Sequence, residues 1–253
     1  MSRIYKYTVP TGIDFGPGAI SGLQSILKAQ GVTRPLLLCD HGIRECGILQ
    51  LALDELGQET ENLAQFDGVA SNPREENVLD ALEVYREQDC DGIIALGGGS
   101  VIDAAKGVAL LSTNPGDLDD FDILKGGATR IHTPPSPVVA IPTTAGTGSE
   151  VSRGALIITT RDGLTRKMIA ASPLLVPVHS ILDPNLTLSL PPFLTAGSGM
   201  DAICHAIEEY LSPREHPVVE AIALGALERI ARHLPVVMKD PGNVESRSQT
   251  LMA

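Results

Sequence analysis

The chain has 253 residues, 43% of them hydrophobic, and its 19 basic and 31 acidic residues give a net charge of −12 at pH 7. This length and hydrophobic content favour one or two globular domains over a disordered chain. The acidic excess disfavours non-specific binding to nucleic acid or to an anionic membrane. No apolar run reaches 18 residues, and residues 1–7 lack the apolar core of a signal peptide, so we expect a cytoplasmic protein with no membrane contact.

Short apolar runs alternate with amphipathic segments along residues 1–183. The pattern predicts strands at 8–15, 36–40, 64–66, 92–96 and 138–141, and helices at 20–30, 42–55, 75–88 and 101–111. This alternation is typical of an α/β fold in which helices cover both faces of a parallel sheet. Residues 117–137 are rich in Gly, Pro and Asp and predict a surface loop near the mouth of a binding site. Two β-branched runs, 155–160 and 178–182, predict a hairpin or edge strands.

The pattern changes at Asp183-Pro184-Asn185, a sequence that favours a turn. Residues 198–211 and 217–234 have the long-period apolar spacing of helices, and residues 244–253 begin another helix without a cap at its end. We therefore expect an α/β domain over 1–183, followed by the start of an all-helical domain over 184–253. The four cysteines form no Cys-x-x-Cys pair, so we expect reduced thiols.

A run of glycines follows the predicted strand at 92–96. The segment Gly97-Gly98-Gly99-Ser100 leads into the predicted helix, which is the order of a phosphate-binding turn. A Cβ at Gly98 or Gly99 would block close approach of a pyrophosphate and strain a positive φ. The plain alternative is a tight connection between strand and helix. Neither a P-loop nor a strict Gly-x-Gly-x-x-Gly sequence is present.

Two more polar groups suit the same ligand. Pro142 to Glu150, with the sequence Pro-Thr-Thr-Ala-Gly-Thr-Gly-Ser-Glu, is a second glycine-rich turn after an apolar strand. Asp40 ends the predicted strand 36–40, where a carboxylate can accept hydrogen bonds from ribose hydroxyls. Together these segments predict a dinucleotide site.

Asp201 and His205 are four residues apart in a predicted helix. They therefore project from one face, as two ligands of one metal ion must. An ordinary polar pair on a solvated surface is the alternative. The neighbouring Cys204 points about 100° away around the helix axis and does not suit the same ion.

Three motifs together resemble the iron-containing (group III) alcohol dehydrogenases. They are the Gly-Gly-Gly-Ser-x-x-Asp-x-x-Lys turn at 97–106, the segment 142–150 and the helix Gly199 to Glu208. The resemblance spans nearly the whole chain. It implies a Rossmann-like NAD-binding domain over 1–183, within a dehydroquinate synthase-like fold, and an incomplete helical metal-binding domain over 184–253. It also implies a chain truncated in its helical domain.

The resemblance assigns cofactor roles by position and names no catalytic side chain. It places Asp40 on the adenosine ribose, where its charge would repel a 2′-phosphate and favour NAD(H) over NADP(H). The full set of implied cofactor residues is Asp40, Asn72, Gly98, Gly99, Ser100, Asp103, Thr143, Thr144, Thr147 and Lys167. Asp103 is expected at the nicotinamide end and Lys167 at the nicotinamide ribose, although Lys167 also suits a solvated strand end. Gly154 departs from family members that have an asparagine there.

The resemblance also implies that Asp201 and His205 bind a divalent metal, most often Fe²⁺ with Zn²⁺ as an alternative. Two later histidines that complete the family's site have no counterpart in this sequence. Because catalytic zinc sites use three protein ligands, we expect weak metal binding and little or no activity from these residues alone.

Two function classes follow. The first is a metal-dependent alcohol dehydrogenase or aldehyde reductase that transfers hydride between a small alcohol and NAD(H). The alternative is a non-catalytic nucleotide-binding or interaction module. Glycerol dehydrogenase and dehydroquinate synthase share the fold but lack the full 142–150 segment. The resemblance also implies a homodimer formed through the strand at 8–15, as an edge available for pairing.

Overall fold

The computed structural model describes residues 4–57 and 63–253. Residues 1–3 of the N-terminal segment considered above lie outside this range. Within the described residues there are eight strands and eight α-helices: β1 (Gly12–Phe15), α1 (Leu23–Ala29), β2 (Pro35–Leu38), α2 (His41–Glu45), α3 (Ile48–Leu56), β3 (Ala64–Phe66), α4 (Glu75–Glu87), β4 (Gly92–Gly97), α5 (Gly99–Thr113), β5 (Val138–Pro142), β6 (Gly154–Arg161), β7 (Leu164–Ala171), β8 (His179–Leu182), α6 (Pro192–Tyr210), α7 (Pro217–Lys239) and α8 (Val244–Met252).

Six strands form one parallel sheet in the order β1-β8-β5-β4-β2-β3. Every residue of β4 and β5 is buried, because helices cover both faces of the sheet centre. The predicted α/β fold with a parallel sheet is confirmed.

Alternate residues of the central strands enter two cores. Leu36 and Ile93 pack with α4 and α5 on one face, whereas Leu37 and Ile94 pack with α1 and α3 on the other. The period of two along each strand divides these side chains between the two faces. Helices therefore pack on both faces of the sheet, and the edge formed by the carboxyl ends of its strands is open.

Several element boundaries differ from the predictions. The strand predicted over 8–15 is regular only in β1, and the helix predicted over 20–30 begins as a 3-10 turn at Ala19–Gly22. The helix predicted over 42–55 is two helices, α2 and α3. Gly47 separates them with a φ of +83°, a left-handed conformation that interrupts the helix.

The two β-branched runs do not pair with each other. Residues 178–182 contribute β8, an interior strand between β1 and β5, so the prediction of an edge strand is wrong there. Residues 155–160 lie in β6, which forms an antiparallel hairpin with β7. Asp162 and Gly163 link the two strands with φ values of +52° and +77°, as in a tight two-residue hairpin turn.

The segment 117–137 packs against this hairpin. It contains three 3-10 helices, and its Leu118 and Phe121 are buried. Arg166 of β7 forms ion pairs with Asp119 and Asp122. No residue of this segment lines the cavity described below, so its place near the mouth of a binding site stays a prediction.

The residues after β8 are helical, as predicted. Helix α6 begins at Pro192, earlier than predicted, with proline in the first turn, and α7 continues through Pro235 to Lys239. Leu234 of α7 packs on Gly199 of α6, where a Cβ would come within 2.7 Å of the leucine. None of the described helices is long and apolar enough to cross a membrane.

Candidate functional site

A cavity of about 930 Å³ lies at the carboxyl edge of the sheet. Asp40 follows β2, Gly98 follows β4 and Thr143 follows β5, three neighbouring strands. Ligands of open α/β sheets bind in the crevice at this edge. Seven of the ten predicted cofactor residues line the cavity: Asp40, Gly98, Gly99, Ser100, Thr143, Thr144 and Thr147.

The glycine turn, residues 97–100, places the N-terminus of α5 in this cavity. Gly98 caps the helix with φ −77° and ψ −173°, so the expected positive φ is wrong at this residue. Close packing against the threonines limits the side chain at both glycines instead. A Cβ on Gly98 would lie 3.1 Å from Cγ2 of Thr144, and one on Gly99 would lie 2.9 Å from Oγ1 of Thr147. The free N–H groups and positive dipole end of the fifteen-residue α5 suit a bound anion.

We use the name threonine turn for residues 143–147, which cross over the start of α5. Thr143 N–H donates to the carbonyl of Gly97 at 3.1 Å. On the opposite side, a Cβ on Gly146, which has a φ of +144°, would overlap the Ser198 carbonyl of α6. The buried Oγ1 of Thr144 has no hydrogen-bond partner among the described residues. A buried hydroxyl without a partner next to a cavity points to a polar ligand.

Asp40 lines the opposite end of the cavity and also caps α2. Its Oδ1 accepts a hydrogen bond from Ile43 N–H at 3.0 Å. The capping role uses one oxygen of the carboxylate. Asp40 therefore has a structural function that does not exclude a contact of its other oxygen with ligand.

Three predicted cofactor residues do not line the cavity. Asn72 N–H donates to Oγ of Ser100 at 3.1 Å, and Nζ of Lys167 donates to Oδ1 of Asn72 at 3.1 Å. Asn72 is thus bound to the glycine turn through its backbone N–H, and Lys167 is bound to the side chain of Asn72, outside the cavity. The carboxylate of Asp103 accepts from Ser149 Oγ and, at 3.1 Å, from Leu156 N–H. Burial raises the pKa of Asp103.

Sequence reasoning missed the environment of Lys106. Its side chain is fully buried, and Nζ donates to the carbonyl oxygens of Ser152 at 3.0 Å and Gly154 at 2.7 Å. Burial lowers the pKa of Lys106 to about 8, against the opposing effect of the Asp103 and Glu150 carboxylates. A lysine within the run Ala104 to Leu111, in which every other residue is apolar or glycine, was the available signal.

The cavity wall formed by residues 186–198 was also missed. Leu190, Leu194 and Ser198 line the cavity from the segment before α6 and from its first two turns. The helix start at Pro192 was the available signal for part of this wall.

The predicted metal pair lies on the same helix. Asp201 follows Ser198 by three residues, and its Oδ1 is 3.8 Å from Nε2 of His205. Both side chains are about half exposed, at 49% and 52%. A carboxylate and an imidazole this close on one helix face fit two ligands of one divalent ion. No group of three or more His, Cys, Asp or Glu side chains in residues 4–57 and 63–253 is arranged to hold a metal.

Two family models match the chain. The model described as iron-containing alcohol dehydrogenase matches residues 10–184, and the model of the C-terminal part of the Fe-containing alcohol dehydrogenase family matches residues 195–253. A 4-hydroxybutyrate dehydrogenase of Cupriavidus necator is 44% identical over 253 residues, which are 100% of this chain and 64% of the relative. A 1,3-propanediol dehydrogenase of Citrobacter freundii is 38% identical and is matched over 99% of this chain and 64% of the relative.

Solved structures agree with these matches. A 1,3-propanediol oxidoreductase superimposes with a TM-score of 0.92 at 37% identity, covering 99% of this chain and 64% of the other. A sulfoacetaldehyde reductase from Bifidobacterium kashiwanohense in complex with NAD⁺ superimposes with a TM-score of 0.90 at 29% identity, covering 99% of this chain and 65% of the other. The chain thus spans about 64% of the length of the curated relatives that it matches. It belongs to the iron-containing alcohol dehydrogenase family.

Proposed function

We propose that this chain supplies the NAD(H) site and two metal ligands of a metal-dependent alcohol dehydrogenase or aldehyde reductase. The observation that carries the proposal is the single cavity in which the N-terminus of α5 and the Asp40 carboxylate occur together. A helix N-terminus binds phosphate, and a carboxylate binds ribose hydroxyls, so the two groups suit the two halves of an adenosine diphosphate.

Six of the predicted cofactor residues in the cavity have the following roles in this proposal. Gly98 and Gly99 let the pyrophosphate approach the free N–H groups of α5. The partnerless Oγ1 of Thr144 donates to the cofactor, with Thr143 and Thr147 beside it. Asp40 accepts from the adenosine ribose and repels a 2′-phosphate, which favours NAD(H).

The roles of Asn72, Asp103 and Lys167 stay predictions. The hydrogen bond from Asn72 to Ser100, and that from Lys167 to Asn72, support a place for both residues beside the cofactor rather than beneath it. Asp103 is engaged by the protein and supports the turn from inside.

Asp201 and His205 hold the divalent ion in this proposal, with Fe²⁺ as the family's usual metal and Zn²⁺ as an alternative. When bound, the ion would polarise the oxygen of the alcohol or aldehyde and so favour hydride transfer to or from nicotinamide. The chain's own contribution is to orient the two ligands on one face of α6, the helix whose first turns form the cavity wall. The named relatives support a short alcohol or aldehyde as the substrate.

The non-catalytic module is not favoured, because the second family model extends through the helical part that contains Asp201 and His205. Low activity of these residues alone, a domain division at 183, a homodimer and a cytoplasmic location stay predictions from the sequence.

The test is a titration of the purified chain with NADH, followed by nicotinamide fluorescence. We expect saturable binding that is lost in Gly99→Val and kept in the exposed-surface control Lys28→Met. Wild-type chain with native circular dichroism and no NADH binding would refute the proposal. Turnover is assayed separately with NAD and 1,3-propanediol or 4-hydroxybutyrate after reconstitution with Fe²⁺ or Zn²⁺.

A further inference from the structure

Lys106 is a buried cation whose hydrogen-bond acceptors all belong to the segment 149–154. In addition to the carbonyl oxygens of Ser152 and Gly154, its Nζ donates to Oγ of Ser149 at 3.3 Å and to Oγ of Ser152 at 3.1 Å. Its Nζ is also 4.0 Å from the Asp103 carboxylate. A fully buried ammonium is unfavourable unless it is paired and hydrogen-bonded, and this one is both.

Ser149 connects this cation to the cavity. Its Oγ accepts from Lys106 and donates to Asp103, and its backbone N–H donates to Oγ1 of Thr147 at 3.3 Å. Thr147 lines the cavity at the end of the threonine turn and lies directly over Gly99.

The residues on α5 that take part share one face of the helix. Gly99, Asp103 and Lys106 are spaced by four and then three residues, so they lie one above another. Gly99 faces Thr147, while Asp103 and Lys106 hold Ser149 two residues later. The same helix face therefore receives the threonine turn and fixes the chain that follows it.

We propose that Lys106 is a positioning residue for cofactor binding, acting through Ser149 to hold the threonine turn against the N-terminus of α5. The proposal rests on the proposed NAD(H) site. A lysine that served only to fill the interior would stabilise the fold without favouring one part of a ligand over another. A positioning lysine affects the part of the cofactor next to the threonine turn more than the adenosine at Asp40.

Two serines provide a matched pair of variants. Ser149→Ala removes the hydroxyl that joins Lys106 to Asp103 next to Thr147. Ser152→Ala removes another acceptor of the same ammonium. The Oγ of Ser152 donates to the carbonyl oxygens of Ser149 and Gly154, each at 3.5 Å, and it is not part of the hydrogen bonds to Asp103 and Thr147. Lys106→Met removes the charge at similar length, with Lys28→Met as the exposed control. For each protein the dissociation constant of NADH is measured by nicotinamide fluorescence, that of adenosine by ligand-observed NMR, and the thermal midpoint by circular dichroism.

We expect Ser149→Ala and Lys106→Met to bind NADH about tenfold more weakly, the effect of losing one buried hydrogen-bond partner. Adenosine binding stays within about twofold of wild type in both, and Ser152→Ala and Lys28→Met bind NADH as wild type does. If Lys106→Met does not fold, Ser149→Ala decides. Unchanged NADH affinity in Ser149→Ala overturns the proposal, as does equal weakening of NADH and adenosine. A wild-type chain that binds neither ligand instead refutes the NAD(H) site itself.

Discussion

The close packing of Gly99 under Thr147 gives a quantitative prediction. A Cβ at residue 99 would lie 2.9 Å from Oγ1 and 3.0 Å from both Cβ and Cγ2 of Thr147. These distances are well inside the roughly 3.5–4.0 Å at which non-bonded atoms attract, so Thr147 must move away from α5. Overpacking of this kind costs about 1–3 kcal/mol. NADH binding must push the displaced Thr147 back towards α5 at a cost within this range, and because about 1.4 kcal/mol is a factor of ten in affinity, we expect Gly99→Ala to bind NADH about tenfold more weakly.

The neighbouring glycine is the matched control. A Cβ on Gly98 would approach Thr144 no closer than 3.1 Å, a distance that a small side-chain shift relieves. Gly98→Ala should therefore weaken NADH binding less than Gly99→Ala. Adding Thr147→Ala to Gly99→Ala removes two of the three crowded atoms and should recover part of the lost affinity. Fluorescence titration with NADH measures wild type, the three single variants Gly98→Ala, Gly99→Ala and Thr147→Ala, and the double variant. The reasoning fails if Gly99→Ala binds as wild type does, or if Thr147→Ala gives the same loss in both backgrounds.

Three other predictions follow from single side chains. Asp40→Asn keeps an oxygen that can cap α2 but removes the negative charge. The ratio of NADPH to NADH affinity should therefore rise at least fivefold in competition titrations, and equal binding of both cofactors by wild type would contradict this role of Asp40. Burial, and to a lesser extent the Asp67 and Asp40 carboxylates, raises the pKa of the Cys39 thiol from about 9 to about 12. The neutral thiol therefore stabilises the folded state below pH 9, and this contribution is lost as the pH rises towards 12. Relative to Cys39→Ala, the wild-type free energy of unfolding in urea should fall by about 1.4 kcal/mol per pH unit between pH 9 and 11, and parallel pH profiles would exclude this. His205→Ala should lower Zn²⁺ affinity at least tenfold in a competition with a chelating dye, and unchanged affinity would remove His205 from the metal pair.

Site residues could be predicted from the sequence where they lie in the turn that directly follows a strand. Gly98, Thr143 and Asp40 each come directly after an apolar run, and parallel strands bring such residues to one edge. For this reason the part of the cavity formed by the strand ends could be predicted without knowing which strands are neighbours, whereas the wall formed by residues 186–198 could not. The cofactor roles of its residues stay predictions.

Features that depend on contacts between residues far apart in the chain were harder to predict from the sequence. The run 178–182 has nothing local that distinguishes an edge strand from an interior one, and its place between β1 and β5 is set by packing. The hairpin of β6 and β7 did have a local signal, Asp162-Gly163, because both residues must adopt positive φ in such a turn. The hydrogen-bond acceptors of Lys106 lie 43 to 48 residues away, so no spacing rule reveals them.

Gly146 contacts the Ser198 carbonyl, so the threonine turn lies between the proposed cofactor site and the helix with the predicted metal ligands. Residues of this turn line the cofactor cavity, and Ser198 is three residues before Asp201 on a rigid helix. A cofactor that immobilises the turn should therefore also restrict the helix that carries the metal pair. Thermodynamic linkage requires the effect to be reciprocal, so a metal ion that tightens NADH binding by some factor must be bound more tightly by that same factor when NADH is present. Titrating each ligand with and without the other measures this coupling, and identical dissociation constants in both conditions would show that the threonine turn transmits nothing.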